Sequence, residues 1–219
     1  MSTYQPIYIE KPFLPHSLFV ALSPLQNKPV DPSADLAESV SGKRLLEIMI
    51  HHKLNCNEAQ FTTVKYEKPS AHINGNPISV SFSHTPEAVC AVVSNYWVVG
   101  IDMESVHRQV SDRLARRMKH EKETLKFYEE HPIIKIWTMK EAALKAIGTG
   151  LRKPMNSVRL EAITDNLFKV EFFNGTTAEI CSLKSTESTE QWMSICYISS
   201  NLSKSFLSES YVPIHSGRD

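Results

Sequence analysis

The order of strand-like and helix-like segments constrains the fold of this chain more than any single motif does. The sequence has two helical segments, SADLAESVSGKRLLEIMIHHKL and IIKIWTMKEAALKAIG. Runs rich in β-branched residues lie on both sides of each segment. Three such runs, ISVSFSH, AVCAVVS and YWVVGID, are consecutive, and Ser94-Asn95 between the last two predicts a tight turn and a β-hairpin. We therefore expect an α+β fold with mainly antiparallel sheets.

The composition changes just after Glu104, where a strand-like run gives way to a highly charged segment with helical propensity. The strand–helix–strand order occurs once on each side of this point. We therefore predict an N-terminal half of residues 1–105 and a C-terminal half of residues 106–219, with a polar, loose tail from about residue 201.

The bulk composition excludes several classes of protein. Of 219 residues, 42% are hydrophobic, which supplies ample material for a core. The 24 basic and 24 acidic residues lack the basic excess that a general nucleic-acid binder carries. Neither a signal peptide nor a membrane span is visible, and the four cysteines lack metal-ligand spacing. We expect a soluble, cytoplasmic protein with reduced thiols.

The stretch WVVGIDMES ends an apolar strand with two carboxylates, Asp102 and Glu104. Side chains alternate along a strand, so these two share a face, with Cβ atoms roughly 6–7 Å apart. Two bare carboxylates at that distance repel each other unless a cation lies between them, and oxygen ligands select Mg²⁺ or Mn²⁺. Two solvated charges at a strand end are the alternative, and this pair alone does not decide between them.

Glu141 and Lys145 lie four residues apart in the second helical segment and therefore share one helix face. They are either an ordinary surface pair, or Glu141 completes a metal site or acts as a base while Lys145 neutralises a phosphate.

Other polar residues carry little information alone. Ser83 and His84 end a strand-like run before a turn, Lys68 precedes a proline in a loop, and Lys43 and Arg44 are adjacent on the first helix.

Taken in order, these residues resemble the 4′-phosphopantetheinyl transferases, in particular their long, single-chain Sfp-type group. That family has a G-K-P-like loop, an SHS-like strand end, G-(I/V)-D-x-E, and then W-x-x-K-E-(A/S)-x-x-K before a glycine. This chain has Glu67-Lys68-Pro69, SFSHT, GIDME and WTMKEAALKAIGTG in the same order. Each motif is weak alone, but the ordered set, from about Lys68 to Leu151, is specific.

The resemblance implies two similar α+β halves related by a pseudo-twofold axis, with the active site at their interface in a monomer. It implies transfer of 4′-phosphopantetheine from coenzyme A to a serine of an apo acyl or peptidyl carrier protein, as in holo-[acyl-carrier-protein] synthases. The products are the holo carrier and adenosine 3′,5′-bisphosphate. The implied cofactor is Mg²⁺, with Mn²⁺ as a substitute.

Matching position by position implies a role for each candidate residue. The metal ligands are Asp102, Glu104 and Glu141, and Glu141 is also the candidate base. Lys145 approaches the transferred phosphate and is the other catalytic residue. The coenzyme A contacts are Ser83, His84, Lys68, Lys145 and, through the 3′-phosphate, Lys43 or Arg44. An acidic carrier would need a basic face, for which the candidates are Arg108, Arg113, Arg116, Arg117 and Lys119.

Three departures from the family pattern affect these expectations. Thr85 replaces a serine but keeps a hydroxyl, Glu67 stands where glycine is common, and RMKHEKETL lacks the aromatic-rich form usual after the GIDxE strand. Two alternatives stay open: a non-catalytic paralogue that binds coenzyme A or a carrier, and another Mg²⁺-dependent enzyme acting on a phosphorylated metabolite. The pathway of the carrier is also open.

Overall fold

A computed structural model of the chain describes residues 6–25, 34–62, 68–185 and 190–199. For residues 34–40 and 151 it describes the backbone only. Glu67 and the predicted polar tail lie outside the described residues. In the described part the fold is α+β with two antiparallel sheets, which confirms the predicted class.

The first sheet contains six strands in the described ranges: β1 Ile7–Tyr8, β2 Leu18–Pro24, β3 Ala59–Thr62, β4 Ser70–Ile73, β5 Asn76–His84 and β6 Ala88–Ser94. Their spatial order is β1-β2-β6-β5-β4-β3, and each neighbouring pair is antiparallel. Helix α1, Ala34–Leu54, packs one apolar face onto this sheet through Leu45, Leu46, Met49 and Ile50.

The second sheet contains five strands in the described ranges: β7 Trp97–Ser105, β8 Arg159–Ala162, β9 Leu167–Glu171, β10 Thr177–Ser185 and β11 Gln191–Ser199. Their order is β7-β11-β10-β9-β8, again antiparallel throughout. Between β7 and β8 lie three α-helices: α2 Asp112–Met118, α3 Leu125–Glu130 and α4 Ile133–Ala146.

Three apolar clusters show how these elements are layered. One lies between α1 and the first sheet, one between the two sheets, and one between the second sheet and α4. Ile101 and Met103 belong to the cluster between the sheets, which leaves Asp102 on the opposite face of β7, as strand alternation predicts. The layers therefore run α1, first sheet, second sheet, α4.

Helix α4 is almost entirely buried, and every residue from Ile134 to Leu144 is inaccessible to solvent or nearly so. It lies so close to β7 that a Cβ added at Gly100 would be 2.2 Å from the Ala142 carbonyl oxygen. The glycine of the GIDME stretch is therefore required by packing. None of the described helices is long and apolar enough to cross a membrane.

The predicted β-hairpin between β6 and β7 is wrong, although the turn that suggested it exists. The Ser94 hydroxyl accepts hydrogen bonds from the backbone N–H groups of Tyr96 and Trp97, at 3.1 and 3.0 Å. However, β2 and β5 already occupy both edges of β6, so β7 crosses to the second sheet and pairs with β11.

The free edge of β7 is satisfied by side chains of β5 instead of by a backbone ladder. We call Ser79, Ser81 and Ser83, which alternate along β5, the serine stripe. The Val99 N–H donates to the Ser79 hydroxyl at 2.9 Å, and the Ile101 N–H donates to the Ser81 hydroxyl at 3.2 Å. The stripe therefore joins the two sheets.

A fully buried ion pair fixes the segment between α2 and α4. Lys140 Nζ lies 2.8 Å from Glu123 Oε1, both side chains are 0% exposed, and the ammonium also donates to the Val158 carbonyl at 2.7 Å. Glu123 also accepts hydrogen bonds from the Leu160 N–H and the Tyr128 hydroxyl. Lys140, the lysine before Glu141 in the WTMKE stretch, is therefore a structural residue.

Candidate active site

Asp102, Lys145 and Ser83 meet where β5, β7 and α4 come together. Lys145 Nζ donates to Asp102 Oδ1 at 2.7 Å and to the Ser83 hydroxyl oxygen at 3.0 Å. The Ser83 hydroxyl in turn donates to the same Oδ1 at 2.9 Å. Burial lowers the pKa of Lys145, but the adjacent Asp102 carboxylate and Glu141 together act against it, and the net pKa is raised. Lys145 is therefore a permanent cation here.

Glu141 lies one helical turn before Lys145 and is also buried. Burial raises its pKa from the ordinary 4.5 to about 7, and the negative charge of Asp102 adds to this effect. Lys145 and Arg108 act in the opposite direction. A carboxyl with a pKa near neutrality can accept and release a proton at physiological pH, as a general base must.

Glu104 pairs with Arg108, a residue that we predicted from the sequence to belong to the basic face for the carrier. Its Oε1 accepts a hydrogen bond from Arg108 Nη1, and the Arg108 guanidinium carbon lies 5.0 Å from the centre of the Trp137 ring. Arg108 therefore lies beside the carboxylates, whereas the sequence grouped it with the basic face. No helical spacing indicates this contact in the sequence, because a turn after β7 brings residue 108 back to Glu104.

The donor set fits a divalent cation in chemistry and charge. Asp102 Oδ2 is buried and has no hydrogen-bond partner among the described residues, so it can bind a further cation. Carboxylate oxygens are the ligands that Mg²⁺ prefers. Within the described ranges, however, no three side chains are assembled as a metal-binding group. Lys145 pairs with Asp102 instead, and Arg108 pairs with Glu104. These residues fit the cation without forming a ready-made cage.

Lys68 connects three elements with its ammonium group. Nζ donates to the carbonyls of Val99, at 2.7 Å, and Ala146, at 2.9 Å, and to the Ser79 hydroxyl at 3.2 Å. Burial lowers its pKa to about 8. Its contact with coenzyme A stays a prediction, but the contacts of its ammonium are structural ones that fix the end of α4 against β7.

The remaining predicted coenzyme A residues are exposed. His84 lies at the end of β5 next to Ser83, while Lys43 and Arg44 lie on α1, where Lys43 pairs with Glu47 at 3.9 Å. The structure thus gathers Ser83, Asp102, Glu141 and Lys145, holds Glu104 against Arg108, and places Lys43 in a separate ion pair. The roles of Lys43, Arg44 and His84 stay predictions.

Thr85, which stands where the family pattern has serine, uses the hydroxyl group that both residues have. Its hydroxyl oxygen accepts hydrogen bonds from the Ala88 N–H at 3.3 Å and from Gln191 Nε2 at 2.8 Å. The threonine therefore closes the turn after β5 and links it to β11.

We expect Glu141→Gln to stabilise the metal-free chain increasingly as the pH rises. The folded chain binds a proton at Glu141 up to about pH 7, whereas the unfolded chain loses it near 4.5. The stabilisation from protonated Glu141 is therefore full below pH 4.5 and is lost as the pH rises through 7. Since Gln stays neutral, the variant should gain about 1–3 kcal/mol over wild type between pH 5 and pH 8.

Urea denaturation at the two pH values, in the presence of a chelator, measures this difference. Glu161→Gln removes an exposed carboxylate on β8 and is the matched control. Parallel pH dependences for wild type and Glu141→Gln would contradict the raised pKa.

Comparisons with known proteins agree with the motifs. Residues 98–196 match the family model of the 4′-phosphopantetheinyl transferase superfamily, a range that includes α4, β8 and all of β7 except Trp97. The 4′-phosphopantetheinyl transferase gsp of Aneurinibacillus migulanus is 27% identical over 175 residues, which cover 69% of this chain and 71% of that protein. Asp102, Glu141 and Lys145 all lie within the matched range. Over this range the chain is therefore similar to the 4′-phosphopantetheinyl transferase superfamily, in agreement with the resemblance that its motifs predict.

Proposed function

We propose that this transferase moves the 4′-phosphopantetheine group of coenzyme A to a serine of an apo acyl or peptidyl carrier protein. The observation that carries the proposal is the Asp102–Lys145 ion pair, shared with Ser83 and adjacent to the titratable Glu141. The products are the holo carrier and adenosine 3′,5′-bisphosphate.

The reaction asks for charge neutralisation and alignment. The serine oxygen forms a bond to the phosphorus that carries the pantetheine arm, and the bond from that phosphorus to the bridging oxygen of the pyrophosphate breaks. Lys145, a cation at the junction of three elements, offsets the negative charge that develops on the phosphate oxygens. The serine proton passes to Glu141, whose pKa near 7 suits a base.

Magnesium, or manganese in its place, is part of the proposal. Asp102, Glu104 and Glu141 would hold the ion, which when bound supplies further positive charge against the pyrophosphate. Ligand and base are competing roles for Glu141. Asp102 Oδ2, for which the described ranges offer no hydrogen-bond partner, supports a cation at this point.

The proposed site lies at the interface between halves 1–105 and 106–219, related by a pseudo-twofold axis. It is supported by the contributions of Ser83 from the first sheet and Lys145 from α4. The change of sheet occurs earlier, at the turn after Ser94. A monomeric state and a cytoplasmic location stay predictions.

A basic face on and after α2 would receive the acidic carrier. Arg113, Arg116 and Arg117 are exposed on this helix, and Lys119, which follows it, lies 5.9 Å from the ring centre of Tyr128. Exposed cations of this kind are complementary to an acidic carrier and would steer its approach.

We expect Asp102→Asn to lower pantetheine transfer by at least about 100-fold, because it removes the charge that holds Lys145 and binds the cation. The assay follows a fluorescent coenzyme A conjugate onto a panel of apo carriers, with Mg²⁺ present or chelated. Glu161→Gln is the control for loss of a carboxylate, and circular dichroism checks that both variants fold.

Near-normal transfer by Asp102→Asn would show that the site is wrong. Wild-type protein that binds coenzyme A but modifies no carrier in the panel would instead favour the non-catalytic alternative. If a different phosphorylated metabolite is turned over, the proposed substrates are wrong.

A further inference from the structure

Arg108 is placed by a turn that brings the chain back over the end of β7. Its backbone N–H donates to the Ser105 carbonyl at 3.0 Å, and the His107 N–H donates to the Ser105 hydroxyl at 3.3 Å. This turn puts the side chain of residue 108 next to Glu104, four residues earlier.

The guanidinium has two partners at the carboxylate cluster. It pairs with Glu104 and lies over the face of Trp137, where the ring attracts a cation. Together with Lys145, which pairs with Asp102, it gives the cluster two internal cations against the carboxyl groups of Asp102, Glu104 and Glu141. In the absence of other ions the cluster is therefore close to neutral.

We propose that Arg108 is an internal counter-ion for Glu104. It forms an ion pair with Glu104 when no divalent cation is bound, and this pair breaks when one binds. This inference rests on the proposed metal-dependent function. It assigns Arg108 the role of a positioning residue that weakens and tunes metal binding.

The physical reason is competition for one carboxylate. The guanidinium held at Glu104 Oε1 and a divalent cation on the same carboxylate repel each other, so each weakens the binding of the other. The pair is partly exposed, with Arg108 43% and Glu104 19% accessible, so the arginine can swing into solvent. Partly exposed pairs of this kind change an equilibrium constant by roughly two- to fivefold.

The test compares Arg108→Gln with wild type in Mn²⁺ titrations followed by electron paramagnetic resonance, without and with saturating coenzyme A. We expect the Kd for Mn²⁺ to fall by about two- to fivefold in the variant. Arg159→Gln, which breaks an arginine–glutamate pair on β8, is the matched control and should leave the Kd unchanged.

Tryptophan emission supplies a second measurement that does not depend on activity. Departure of Arg108 from the Trp137 ring should change the emission of wild type when Mg²⁺ is added, and this change should be smaller in Arg108→Gln. An equal or weaker Mn²⁺ affinity in Arg108→Gln overturns the inference and leaves the proposed transfer intact. If wild type binds no Mn²⁺ with or without coenzyme A, the metal is removed from the proposed function and the inference falls with it.

Discussion

Gly100→Ala is expected to destabilise the chain by about 3 kcal/mol or more. The added Cβ would lie 2.2 Å from the Ala142 carbonyl oxygen and 2.4 Å from the Ala146 nitrogen. Both are backbone atoms of α4, so no side-chain rotation relieves the overlap, and the helix must move away from β7. Such a movement would also separate Lys145 from Asp102, so we expect transfer activity to fall together with stability.

Gly175→Ala is the matched control for this substitution. Gly175 has a positive φ of 82° in an exposed turn, and a Cβ there would meet nothing within 4 Å. Gly175→Ala should therefore lower the free energy of unfolding only by the strain of the left-handed conformation, about 1 kcal/mol. Urea denaturation of both variants measures the two free energies of unfolding. Equal losses would mean that α4 can shift without cost.

Lys140→Met should cost about 3–5 kcal/mol, because it leaves the carboxylate of Glu123 buried without its counter-charge. The Val158 carbonyl also loses its donor from Nζ. The hydrogen bonds that Glu123 accepts from the Leu160 N–H and the Tyr128 hydroxyl remain, but they do not supply a positive charge. The segment before α4 would therefore detach from the core.

The double variant Glu123→Gln/Lys140→Met separates the buried charge from the lost packing. If the uncompensated carboxylate dominates, the double variant is more stable than Lys140→Met alone. Lys126→Met, in an exposed pair with Glu130 at 3.5 Å, is the control and should cost well under 1 kcal/mol. Chemical denaturation measures all three, and a Lys140→Met loss as small as that of Lys126→Met would contradict the argument.

The elements of the fold could be read from the sequence, but the partners of one strand could not. Residue alternation in YWVVGID identifies a strand and its two faces, since burial has a period of two. It does not say which strand lies alongside, and the short turn at Ser94 suggested the nearest one. The edges of β6 are filled by β5, which directly precedes it, and by β2, which is distant in sequence, so only the tertiary structure excludes the hairpin.

In the candidate site too, the positions of some residues follow from the sequence, but the contacts of others do not. Asp102, Glu141 and Lys145 follow from strand and helix periodicity together with the family motifs, and the structure brings them together. The contacts of Lys68 and Arg108 could not be predicted, because a long flexible side chain can reach several partners from one backbone position. The pair of Glu123 and Lys140 joins a loop to a helix and leaves no periodic signal in the sequence.

The serine stripe has a consequence for how this protein can change during evolution. Backbone ladders within each sheet persist through almost any substitution, because they use atoms that every residue except proline has. The seam between the sheets depends instead on the hydroxyls of Ser79 and Ser81. Single substitutions can therefore loosen or tighten the hold on β7, and with it on Asp102, while both sheets keep their architecture.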